Sequence, residues 1–185
     1  MNATLTSTLR VYDDKNPATP IVDTTDRAEI ARILAAEGVL FEQWEANQPL
    51  TPQSDQDAII AAYAGDIERL KQKYGYTTVD VIRVTEETPN LPALRQKFLN
   101  EHTHSEDEVR FFVEGQAAFY LRINGKVYQT ICSRGDLLSV PAGTAHWFDM
   151  GPAPEFAAIR LFVNPEGWVA QFTGDEIAAK FPKFE

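Results

Sequence analysis

The chain has 185 residues, 44% hydrophobic and 24% charged, and its 17 Lys and Arg against 27 Asp and Glu give a formal net charge of −10. That length suits one domain with a core of its own, and that charge argues against nucleic acid or an anionic membrane as partner. The single cysteine, Cys132, excludes an internal disulfide and reads as a small core residue.

The first residues lack a basic stretch followed by an apolar core, and no run approaches the roughly 20 apolar residues of a membrane span. A cytoplasmic protein is expected. From about residue 1 to 76 the text reads largely helical. Asp23 to Asp26 offer N-caps for a helix carrying Ile30, Ile33 and Leu34, with Gly38 as its stop. A second helical stretch starts near Ser54 with Asp57 in a capping-box position, carries Ile59, Ile60, Tyr63, Ile67 and Leu70, and ends at Gly75. Gly65 is the point where it would kink or divide.

After Gly75 the period changes. Residues 78–84 are β-branched and half alternating, which predicts a strand. Pro89 and Pro92 punctuate the link that follows. Short apolar runs then lie near 108–114, 117–123, 126–132, 136–140, 145–149 and 156–163, separated by turn signals. Asn124-Gly125 marks a tight hairpin, because both residues tolerate positive φ. Such strand spacing predicts an antiparallel barrel or sandwich over about 77–170, with a short helix near 174–181.

The three histidines of the chain fall in two short motifs. In a strand His102 and His104 project to one face, and Glu108 has the same parity. Pro141 and Gly143 make a turn that can deliver His146 from a neighbouring strand. Three imidazoles and one carboxylate form a donor set for a divalent ion in octahedral coordination, which leaves two adjacent positions for a bidentate substrate. A structural zinc site would be closed and rich in thiolates. The plainer reading takes each histidine as an ordinary core or surface residue. Glu106 and Asp107 read as a solvated turn.

His102-x-His104-x3-Glu108-x6-Gly115 and Gly135-x5-Pro141-x-Gly143-x2-His146 resemble the two cupin motifs. Met150 stands where the general motif commonly ends in Asn. The longer strings around them, Glu101 to Phe111 and Pro141 to Gly151, resemble the acireductone dioxygenase family of methionine salvage, in which Trp-Phe-Asp-Met-Gly is usual. The resemblance covers most of the chain. It implies a mainly β fold, the cupin double-stranded β-helix or jelly-roll barrel, with N-terminal helices. It implies one Fe(II) or Ni(II) per chain on His102, His104, Glu108 and His146. It also implies 1,2-dihydroxy-3-keto-5-methylthiopentene and O2 as substrates. The Fe form gives formate and 4-methylthio-2-oxobutanoate; the Ni form gives 3-methylthiopropanoate, formate and carbon monoxide. A soluble monomer is expected.

An ionised enediol that chelates a metal needs positive charge beside it. Arg110 shares the parity of Glu108, and Arg160 lies on the face of Phe156, Ala158 and Phe162. A buried arginine is costly without an anion, so both are candidate substrate clamps. Their alternative is a salt bridge to an acid such as Glu114 or Asp136. Phe98, Phe148 and Trp168 are candidates for an apolar wall around the methylthio tail, the alternative being plain core. Glu101 is a weaker candidate for orienting a histidine. A cupin sugar-phosphate isomerase would want more cations in the strands. A cupin ligand sensor would come with a partner or DNA-binding domain, and no helix-turn-helix is evident.

Overall fold

The computed structural model describes residues 5–164, 166 and 169–185. In chain order it has β1 (Thr8–Asp13), β2 (Val22–Thr24), α1 (Arg27–Ala35), β3 (Leu40–Gln43), α2 (Gln56–Ala62), α3 (Ala64–Tyr74), β4 (Thr78–Val84) and α4 (Leu91–Leu99). There follow β5 (His102–Thr103), β6 (Glu108–Ile123), β7 (Lys126–Ser133), β8 (Asp136–Val140), β9 (Ala145–Asp149), β10 (Phe156–Phe162), β11 (Gln171–Phe172) and a 3-10 turn, Ile177–Lys180. Every strand pair is antiparallel.

β6 organises the molecule. The two apolar runs at its ends are one 16-residue strand that serves two sheets. Its first half pairs with β8 and β10, and its second half with β7 and β9. The change of sheet falls at Gly115, whose φ is +68°. A Cβ there would lie 1.6 Å from the Glu155 carbonyl oxygen, so only glycine allows the two backbones to approach. The inward face changes parity just before this bend, where the pairing with β10 skips Val113. Phe112 faces the interior before it, and Ala117, Phe119 and Leu121 after it. Val109, Phe111 and Val113 point outward, where Ile59, Tyr63, Ile67 and Leu70 of α2 and α3 cover them.

The hairpin forms where Asn124-Gly125 predicts it, with φ of +51° and +75°. α1 is capped by Asp26, whose carboxylate accepts from the Ala28 amide at 2.9 Å. In the second helical stretch the cap is Asp55, accepting from Ala58 at 2.9 Å, rather than Ser54. The stretch divides at Tyr63, two residues before Gly65.

Three expectations are corrected. The first third also holds β1, β2 and β3, which extend the two sheets at their edges through β7 and β8. The link after Pro89 contains α4, with Pro92 in its first turn, where the missing N–H has no partner to lose. The C-terminal helix is a single 3-10 turn, whose Ile177, with Phe181 after it, covers Tyr12, Tyr120 and Trp147 on the outer face of β1, β6 and β9. No helix among the described residues is long and apolar enough to cross a membrane.

Candidate metal centre and substrate pocket

The two histidine motifs meet across a sheet. His102 on β5 is the direct pairing partner of His146 on β9. His104 follows β5 by one residue, and its carbonyl accepts from the Gly143 amide at 2.9 Å. The Asp107 carboxylate accepts from the Ala142 amide at 2.7 Å. The first motif is thus tied by main-chain and side-chain bonds to the turn that presents His146. Among the described residues, His102, His104 and His146 form a buried group whose ligand atoms all lie within 4.8 Å of one another.

Each ring is turned the same way. Nδ1 of His102 faces the Asn100 carbonyl at 2.8 Å, that of His104 the Val169 carbonyl at 3.3 Å, and that of His146 the Thr144 carbonyl at 2.8 Å. A carbonyl only accepts, so the proton sits on Nδ1 and Nε2 keeps its lone pair. Burial holds the His102 pKa below its usual value and drives that of His146 down to about 3, against the raising influence of Glu108. Both rings are neutral near pH 7, the form that binds metal.

Glu108 is 1% exposed and lies beside the three histidines. Its Oε2 lies 3.2 Å from His104 Nε2 and 4.0 Å from His146 Nε2. Burial raises its pKa, but the neighbouring Arg110 guanidinium outweighs that and holds the carboxyl down at about 2. Glu108 Oε2 and His146 Nε2 are both buried without a hydrogen-bond partner. Lone pairs turned toward one another in a dry site fit a bound cation, and the donor set suits a divalent transition metal.

Arg110 stands beside this cluster on β6. Its Nε donates to Glu108 Oε1. Its guanidinium carbon lies 4.6 Å from the Phe119 ring centre and 5.0 Å from that of Phe148. Nη1 is buried and has no hydrogen-bond partner. Arg160 is the cross-strand partner of Arg110 on β10. It forms a fork-to-fork pair with Asp80 on β4, with Nε donating to Oδ1 at 2.8 Å and Nη2 to Oδ2. Neither arginine pairs with the acids considered from sequence, since Glu114 binds Arg83 and Asp136 binds Arg27.

Phe98 belongs to α4 and meets Phe148 of β9 edge to face, with ring centres 6.0 Å apart. Phe148 also contacts Phe119 and Phe156, at 5.0 and 5.4 Å. Phe119 lies 6.3 Å from the His146 ring. One aromatic surface therefore runs from the histidines to the underside of α4.

Comparison with known proteins decides the family. The ARD/ARD' family profile matches residues 8–170. The acireductone dioxygenase of Parvibaculum lavamentivorans is 59% identical over 177 residues, 96% of each chain. That of Pseudomonas aeruginosa (strain UCBPP-PA14) is 55% identical over 179 residues, 97% of this chain and 99% of the relative. The structure of acireductone dioxygenase from Bacillus anthracis with cadmium ion in the active center superposes with a TM-score of 0.77 at 31% identity, covering 92% of this chain and all of that one. The chain belongs to the acireductone dioxygenase family.

The chain is therefore an enzyme, a dioxygenase of cupin fold acting on a small molecule and O2. Within that acireductone dioxygenase frame, Met150 is a buried core residue packed in the barrel, as is Cys132. Glu101 does not orient a histidine. It is buried, takes a hydrogen bond from the Thr173 hydroxyl at 2.8 Å and faces Arg122 at 3.5 Å, while the Asn100 carbonyl holds His102. Trp168 lies outside the described residues. Sequence reasoning missed Phe119 and Asp80. Strict alternation from Arg110 puts Phe119 on the outer face, and only the register shift at the skipped Val113 brings it in.

Proposed function

We propose that the chain is a monomeric cytoplasmic enzyme of methionine salvage that cleaves 1,2-dihydroxy-3-keto-5-methylthiopentene with O2. In this reading the Fe(II) form yields formate and 4-methylthio-2-oxobutanoate, and the Ni(II) form yields 3-methylthiopropanoate, formate and carbon monoxide. His102, His104, Glu108 and His146 would hold the metal, one per chain. The observation that carries the reading is the buried three-histidine group with the Glu108 carboxylate 3.2 Å from His104 Nε2 and an unpartnered guanidinium nitrogen, Arg110 Nη1, at its side.

When bound, the metal supplies a Lewis-acidic centre on which adjacent substrate oxygens can chelate. The chain's residues do the rest. The Nδ1–H to carbonyl bonds fix the three rings and keep each proton away from the ligand nitrogen. Arg110 Nη1 donates to the enediolate oxygen that enters beside Glu108, and the Glu108 pair fixes the plane of that donor. Arg160, its fork held by Asp80, stands across the strand pair from Arg110 as the second candidate clamp. Phe98 and Phe148 would line the space for the methylthio tail.

The test is oxygen uptake with anaerobically generated acireductone, using protein loaded with Fe(II) or with Ni(II). Uptake with either metal, and carbon monoxide with Ni(II) alone, is the expected result. Loaded protein that consumes no oxygen, or metal-free protein that is fully active, overturns the reading.

A further inference from the structure

Helix α4 is attached in an uncommon way. None of its residues is fully buried and Asn90 gives it no side-chain cap. Its polar anchor is Arg95, whose Nε donates to Asp149 Oδ1 at 2.7 Å and whose Nη2 donates to Oδ2 at 3.1 Å. Asp149 is 0% exposed. It also accepts from the Gly151 amide at 2.9 Å and from the Phe184 amide at 3.0 Å, while the Phe184 carbonyl accepts from Arg95 Nη2 at 3.2 Å. One buried carboxylate thus joins α4, the end of β9 and the C-terminal segment.

Four N–H donors on one carboxylate satisfy it fully, so Asp149 has no lone pair left for a ligand. A fork-to-fork pair fixes direction as well as distance. Its placement is informative. Arg95 precedes Phe98 by one helical turn on α4, and Asp149 adjoins Phe148 on β9. The ion pair and the aromatic pair join the same two elements, so the first sets the angle and depth at which the second closes.

We propose that Arg95 and Asp149 are positioning residues that set the depth of the tail pocket and so select acireductones by the length of their tail. This rests on the reading of Phe98 and Phe148 as the tail wall. Arg95 touches no member of the metal cluster, and its effect on substrate passes through Phe98.

The experiment compares two acireductones, one with the methylthioethyl tail and one with a methyl group in its place, on Fe(II)-loaded wild type, Arg95→Ala, Phe98→Ala and the double variant. Arg95→Ala is expected to raise KM for the long-tailed substrate about tenfold. Its kcat, its metal content and its KM for the short substrate stay near wild type. In the Phe98→Ala background the Arg95 change should add nothing, since the two act in series. Equal losses on both substrates, or additive effects in the double variant, overturn the proposal. Where Arg95→Ala does not fold, Arg95→Lys keeps the charge, loses the fork and carries the same comparison. Wild type that turns over neither substrate would fail the reading of the site itself. Wild type active on both, with variants that do not discriminate, fails the clip alone.

Discussion

Glu108 Oε2 lies 4.0 Å from His146 Nε2, and neither buried atom makes a hydrogen bond. The Thr144 carbonyl has already taken the ring's proton-bearing side, so two lone pairs face each other. A cation between them removes the repulsion and the desolvation cost together. His146→Ala and Glu108→Gln should therefore each weaken divalent-metal binding by at least about 100-fold, since each removes a donor rather than a supporting contact. Metal content after gel filtration through a chelator, read beside circular dichroism, checks this. A folded variant that retains a full equivalent of metal contradicts the ligand assignment.

The same burial makes the metal-free protein sensitive to acid. The His146 pKa is about 3 in the fold, against the ordinary value near 6.5 in the unfolded chain. Below about pH 6.5 the unfolded chain takes up a proton that the fold refuses, so stability falls as pH drops toward 3. Between pH 7 and 5 the loss should be about 2 kcal/mol. Glu108, held at about 2, acts in the same direction at lower pH, because its folded carboxyl resists a proton that the unfolded one accepts. Urea midpoints of metal-free protein measure this, and a midpoint that is flat from pH 7 to 5 would count against neutral buried rings.

Arg110 has two duties that metal loading can separate. Its guanidinium pairs with Glu108, and in the proposed reading its unpartnered Nη1 donates to substrate. Arg110→Ala should lower kcat/KM by about 100- to 1,000-fold in metal-loaded enzyme, as expected for a lost donor to a charged oxygen. In metal-free protein it should also cost about 3–5 kcal/mol, because the Glu108 carboxylate is left buried and unpaired. Bound metal should recover much of that stability but none of the activity. Unchanged kinetics would return Arg110 to a purely structural ion pair.

Gly115→Ala tests the fold at its pivot. The added methyl group would meet the Glu155 carbonyl, and the backbone there is left-handed. The cost should exceed about 4 kcal/mol, placing the variant among the severe backbone and overpacking cases. Soluble yield and thermal melting read the outcome. A variant that melts near wild type would show that the two strands separate freely.

Much of this was legible in the residues, and the exceptions share a cause. Strands whose text is a short apolar run between turn signals, such as Ala145–Asp149, stand where their pattern puts them. The hairpin followed from Asn124-Gly125 because the φ requirement is local. The three histidines gave away their cluster because parity and one turn suffice to bring them together. β1, β2 and β3 were hidden because they are short and owe their form to partners far along the chain: Leu9 pairs with Thr130, and Phe41 with Leu138. α4 was hidden by two prolines, one of which sits in its first turn and interrupts nothing. The partner of Arg160 is 80 residues away, and no local pattern marks Asp80 out among so many acids.

The bend at Gly115 gives the spacing Glu108-x6-Gly115 a mechanical meaning. The glycine is pinned by the Glu155 backbone, and the metal-side end of the same strand carries Glu108 and Arg110. The stretch between them works as a ruler measured from a fixed stop. Adding or removing one residue within it would turn both side chains to the outer face, toward α2 and α3 rather than the histidines. Residue identities inside the ruler are open to exchange wherever size and polarity allow. Its length is not, so in the proposed reading a one-residue slip anywhere within it would cost the enzyme as much as the loss of a ligand.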